Sequence, residues 1–200
     1  MVSIAFRLLL VSWLLLGGSA ALHGADVNDG PAGERGPDRR AVVRSVDPLI
    51  ASLIAEGRAR SSTFQQLLHA LEGTDGIIYI TPGTCPVSGM RGCLLHALSA
   101  TDEARYLWIR VKIAEPPNEL ISVIGHELQH AVEVLRRPLI RSGLDMLKFY
   151  RSAQILDSLA VKIASDGRAF ETHAAVAAGQ AVRADLAATP AAGPLETDIR

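Results

Sequence analysis

The chain carries almost no net charge, only two cysteines and no apolar run of bilayer length. Its 20 Lys and Arg against 21 Asp and Glu leave a formal charge of −1. Neither nucleic acid nor anionic lipid therefore has an electrostatic claim on it. The N-terminal apolar run Leu8–Leu16 falls well short of the roughly 20 residues that span a bilayer. No Cys follows that run, which argues against a lipid-anchored form, and no internal repeat is visible.

What stands at the N-terminus instead is a three-part layout: Arg7, the apolar run, then Gly17-Gly18-Ser19-Ala20-Ala21. This is the pattern of a secretory signal, with cleavage expected between Ala20 and Ala25 and no stable membrane span afterwards. The expected destination is secreted or periplasmic. Residues 26–41 are rich in Gly, Pro, Asp and Arg and read as a disordered linker. Cys85 and Cys93 form an even pair in an exported chain, separated by a loop-like segment with Gly89 and Gly92, so a disulfide is expected there.

The domain is expected over residues 42–187, with 188–200 as a flexible tail. Leu49, Ile50, Leu53 and Ile54, then Phe64, Leu67, Leu68 and Leu71, have helical spacing and predict two packed helices, with Ser61, Ser62 or Thr63 as the cap of the second. Gly76 to Thr81 is β-branched and bounded by turn residues, which predicts a strand. Cys93 to Leu98 is a weaker strand. Arg105 to Ile113 alternates, with Leu107, Ile109, Val111 and Ile113 on one face and Tyr106, Trp108, Arg110 and Lys112 on a wetter one. Helices are predicted over 118–135, 144–163 and 170–186. The order predicts an α+β domain with a small, mostly antiparallel sheet and a central helix over 118–135.

That central helix contains His126-Glu127-Leu128-Gln129-His130. Residues four apart stack on one helical face, so two imidazoles at this spacing can share one zinc ion, and the intervening Glu127 can reach a water held on the metal. A pattern this short arises by chance in roughly 1 chain in 100 of this composition, so context matters. Pro116-Pro117, Asn118 as a cap, Glu119 in the first turn and Arg136-Arg137-Pro138 at the end frame it as a helix. Two histidines and a glutamate on an otherwise apolar helix need a compensating partner.

Catalytic zinc usually takes a third protein ligand. Glu133 lies on the His130 face but about 10 Å along the axis from His126, so it reads as a partner of a ligand or a solvated residue. Glu171 heads a stripe of Ala174, Ala175, Ala178 and Val182 that would face inward and let its helix approach closely. His173 is a rival, and since two residues turn about 200° round a helix, it and Glu171 cannot both face one ion. Glu171 is the favoured third ligand, with His173, Asp157 and Glu133 as alternatives.

These residues resemble the zincin metallopeptidases, and among them the gluzincin type, whose third ligand is a glutamate on a later helix. The resemblance rests on His126-Glu127-Leu128-Gln129-His130 and on Glu171 with its alanines, and covers most of Thr74 to Leu186. The chain is also similar to small exported bacterial proteins that carry such a motif. It lacks the Gly and third His that extend the motif in metzincins, where Glu133 and Arg136 stand nearby, and has no thermolysin-like Asn-Glu-x-x-Ser-Asp. The resemblance implies a zincin-like fold, Zn2+ held by His126, His130 and Glu171, and hydrolysis of a peptide or protein substrate with Glu127 as general base. Tyr150, Arg168 and His173 are candidates to stabilise the oxyanion. The substrate would add as a strand on the wetter face of 105–113 or at a sheet edge. The competing expectations are a non-catalytic exported zinc-binding or scaffold protein, and a metal-free helical adaptor.

Overall fold

A computed structural model describes residues 42–155, 162–163 and 170–189. The expected signal, linker and tail lie outside these residues, except for the tail's first two, 188 and 189.

The chain enters through strand β1 (Val43–Arg44) and two helices, α1 (Pro48–Arg60) and α2 (Ser62–Glu72). Asp47 caps α1 by accepting from the Ile50 amide at 3.0 Å, with Pro48 fixing the first helical φ. Ser61 ends α1 and caps α2, accepting from Phe64 N. The apolar positions at helical spacing become core: Ile50, Leu53, Phe64, Leu67, Leu68 and Leu71 are all buried.

Strand β2 (Gly76–Pro82) follows, then β3 (Gly92–Leu94), β4 (Ser99–Ala100) and β5 (Arg105–Val111). The sheet has the order β1-β2-β5-β3, with β4 also pairing β5. It is mixed rather than mostly antiparallel: the longest pairing, β2 with β5, is parallel and runs from Gly76↔Arg105 to Pro82↔Val111, while β3 and β4 are antiparallel to β5. Side-chain alternation reports which face is buried but not strand direction, and residues 83–104 are long enough for the return a parallel pair needs. Leu107, Ile109 and Val111 are fully buried, as the alternation predicts, but β5 ends before Ile113, which is exposed.

Helix α3 (Pro117–Leu135) packs against this sheet on one side and against α1 and α2 on another. It is followed by α4 (Gly143–Ile155), a two-stranded sheet of β6 (Lys162–Ile163) and β7 (Phe170–Glu171), and α5 (His173–Ala188), which packs along α3. The helix expected to continue to 163 is thus a strand at its end, because Lys162 and Ile163 pair with Glu171 and Phe170. The fold is α+β, with five helices and a small mixed sheet among the described residues. No helix among them is long and apolar enough to cross a membrane.

Candidate metal centre

Helix α3 starts after Pro116, which caps it without a side-chain hydrogen bond. Asn118, expected as the cap, is already inside the helix, and its Oδ1 accepts from Arg60 Nη1 at 3.0 Å. Pro117 has no amide hydrogen to satisfy, so this end needs one acceptor fewer. The helix is buried over most of its surface, including Glu127, His130 and Glu133. Buried groups of this kind require partners.

They have them. The imidazoles of His126 and His130 stand on one face with ring centroids 5.0 Å apart. Glu171 reaches both, its Oε1 3.3 Å from His126 Nε2 and 3.8 Å from His130 Nε2. One ligand atom from each of the three residues lies within 4.8 Å of the others. Zinc bonds of about 2.0–2.2 Å at tetrahedral angles separate ligand atoms by roughly 3.4 Å, so the two contacts of Glu171 match the spacing such a centre requires. Two neutral imidazoles and one carboxylate are also a donor set that zinc accepts.

Glu171 arrives by a different route from the one its sequence suggests. It is not in α5 but at the end of β7, immediately before Thr172. Thr172 caps α5 by accepting from Ala175 N at 3.1 Å, so the helix begins two residues beyond Glu171 and the argument from helical angles does not apply to it. The inward stripe of α5 is Ala175, Ala178, Gly179, Val182 and Leu186, whereas Ala174 and His173 are exposed. Gly179 lets α5 press onto α3: a Cβ there would sit 3.2 Å from His126 Cβ, and Ser122 Oγ donates to the Gly179 carbonyl at 2.8 Å.

Glu133 is not among the three grouped residues. Its Oε2 lies 3.2 Å from His130 Nδ1 and accepts the Tyr150 hydroxyl at 3.3 Å, while its Oε1 accepts the Thr172 hydroxyl at 2.7 Å. This carboxylate occupies Nδ1 of His130 and leaves Nε2 facing Glu171. Asp157 and Arg168 lie outside the described residues. Tyr150 and His130 both line the cavity at the centre, as does His96, a half-buried histidine against Phe170 that nothing in its sequence context singles out. Thr172 could have been found, since a threonine before an alanine-rich run is a cap signal.

Glu127 is buried beside the grouped residues and accepts the Leu94 amide on Oε2 at 2.7 Å. Strand β3 can pass this close because residue 92 is glycine; a Cβ there would fall 2.4 Å from Val123 Cγ1 and 3.3 Å from the Glu127 side chain. Cys93 of the same strand is bonded to Cys85.

No protein family, curated protein or solved structure matches this chain. The chemistry must be read from the centre itself.

Burial pushes the Glu127 carboxyl above the ordinary carboxylate range, offset only in part by the charges of His130 and His126 and by the Leu94 amide. Burial acts on Glu171 in the same sense, but there the hydrogen bond and charge of His126 outweigh it and hold the carboxyl low. Desolvation works against a charged His126, and Glu171 with the neighbouring carboxylates overcomes it, so His126 holds its proton to higher pH than a solvated imidazole. The carboxyls of Glu127 and Glu171 are thus driven in opposite directions, one up and one down.

Proposed function

We propose that the chain is an exported zinc-dependent hydrolase of peptide bonds, with Zn2+ held by His126, His130 and Glu171 and Glu127 as the general base. The observation that carries this reading is the convergence of Glu171 Oε1 on both imidazoles, 3.3 and 3.8 Å away, beside a buried carboxylate that belongs to neither pair. Zinc in such a setting supplies a water of lowered pKa and polarises a carbonyl oxygen.

The protein's own residues do the rest. Glu127, held by the Leu94 amide and raised in pKa by burial, accepts a proton from the attacking water and returns it to the leaving amine. Glu133 keeps His130 in the tautomer that presents Nε2. The main-chain edge of β3, the outermost strand at its end of the sheet, offers backbone groups other than the Leu94 amide, which Glu127 holds, to an extended peptide. β5, flanked by β2 and β3, has no open edge to offer. The Cys85–Cys93 bond is compatible with an oxidising compartment and supports export.

The test compares wild type with Glu127→Gln on a peptide library, read by mass spectrometry, with zinc content measured on both proteins. Wild type should contain zinc and cleave, and Glu127→Gln should keep the metal and lose about 10²- to 10⁴-fold in rate. Equal cleavage by the two proteins overturns the assignment of the base. Zinc without cleavage in wild type favours a metal-binding protein that catalyses nothing.

A further inference from the structure

Two cavities meet at the candidate centre, and their chemistry differs. His126, Glu127 and Glu171 line both. The first, of about 210 Å³, is walled by Pro86, Val87, Leu95, Met146 and Phe170. The second, of about 390 Å³, has Arg91 and Arg183 in its wall. The loop closed by Cys85 and Cys93 borders both, with Val87 in the first, Arg91 in the second and Met90 in each. The disulfide-closed loop therefore borders both a side with an apolar wall and a side that holds both arginines.

The second cavity holds two positive side chains, Arg91 and Arg183, beside the carboxylates of Glu127 and Glu171 at the shared centre. Arg91 Nη1 and Arg183 Nη2 share a single acceptor, Glu119 Oε2, at 3.2 and 2.6 Å. Away from the shared centre, these two guanidiniums thus have one carboxylate between them. Glu119 does not line the second cavity, whereas both arginines do, and their side chains are 46 and 47 % exposed. A guanidinium has five N–H donors, so each arginine retains several for a carboxylate arriving from the cavity.

We propose that the centre takes an extended peptide that straddles it, with an apolar side chain in the first cavity and a carboxylate against Arg91 and Arg183 in the second. The carboxylate is an Asp or Glu side chain or the C-terminus of the peptide. The reaction in this proposal rests on the hydrolase reading above, and its selectivity rests on the two cavities.

The test uses the zinc-loaded full-length Glu127→Gln chain, titrated by calorimetry with end-blocked peptides containing Leu and either Asp or Lys. A second set lacks the acidic residue and ends in a free carboxylate or an amide. Peptides with a carboxylate should bind about tenfold tighter than their Lys or amide counterparts. That advantage should shrink as salt is raised and vanish in Arg91→Met/Arg183→Met. Met146→Lys should remove the preference for these peptides over counterparts with Gly in place of Leu. Tight binding of only the internal Asp peptide, or of only the free C-terminus, identifies the source of the carboxylate. The salt titration needs no arginine variant, so it decides the matter even if the double substitution fails to fold. Equal, salt-independent affinity for all peptides overturns the proposal. Cleavage by wild type separates the two readings: unselective cleavage overturns the selectivity and leaves the hydrolase, whereas selective binding without cleavage overturns the hydrolase and leaves the cavity assignment.

Discussion

Glu133 stands 3.2 Å from Nδ1 of His130, one helical turn further along α3. The same carboxylate accepts the hydroxyl of Thr172, the residue directly after Glu171. One buried group thus joins the helix that carries both histidines to the strand end that carries the third member of the centre. Burial acts to raise the Glu133 carboxyl, but its hydrogen bonds with His130 and Thr172 and the charge of His130 outweigh that and keep it low, hence anionic and able to hold the imidazole.

Glu133→Gln should therefore weaken zinc binding without abolishing it. An amide keeps the shape of the carboxylate but can present its NH2 to Nδ1 and favour the wrong tautomer. Carboxylates behind metal-bound histidines contribute about 10- to 100-fold in affinity, and a loss of that size is expected in a competition titration against a chromophoric chelator. Thr172→Val should produce a smaller loss in the same sense. Unchanged affinity in Glu133→Gln would show that the Glu133 carboxylate does not orient His130.

The close approach of α5 to α3 at Gly179 gives a second test. A valine there would press on His126 and on the Ser122 carbonyl, which already lie 3.2 and 3.4 Å from where a Cβ would stand. The helices must separate, breaking the hydrogen bond from Ser122 Oγ and drawing Glu171 away from His126. Gly179→Val should cost on the order of 2 kcal/mol in a denaturant titration and reduce zinc content, with Gly179→Ala milder on both counts.

Much of this centre is legible before any coordinates. Helix α3 is framed by Pro116-Pro117 and by Arg136-Arg137-Pro138, and the spacing of His126 and His130 follows directly from helical geometry. Glu171 is reachable by reasoning, though as the head of a helical stripe when it in fact precedes the Thr172 cap. The 10 Å rise that separates Glu133 from His126 likewise points to the role it takes, as a partner of His130. What is not legible has a physical reason. The Leu94 amide that holds Glu127 is backbone and has no residue signature. Strands β1 and β4 are two residues each, too short for any periodicity, and the end of the helix expected at 163 is decided by pairing with β7.

The far end of α3 is held by Arg105, and its loss should be costly in a pH-dependent way. This guanidinium, 2 % exposed, donates to both oxygens of Asp75 and to the carbonyls of Leu135, Arg137 and Ile140, where α3 terminates. Arg105→Met would take this donor from all three carbonyls, of which that of Arg137 keeps the Ile140 amide, and should cost on the order of 3 kcal/mol. The hydrogen bond from Arg105 and, after opposing burial, its charge hold the Asp75 carboxyl below its ordinary range. A folded-state pKa below the unfolded value of about 4 means that the stability from this pair is complete above that value and is lost as pH falls through the lower folded one. Urea unfolding midpoints of wild type and Asp75→Asn should therefore differ by a constant amount near neutrality and converge as the pH drops below about 4. A difference that persists unchanged at pH 2 would mean that Asp75 stabilises the fold through its shape and hydrogen bonds rather than through its charge.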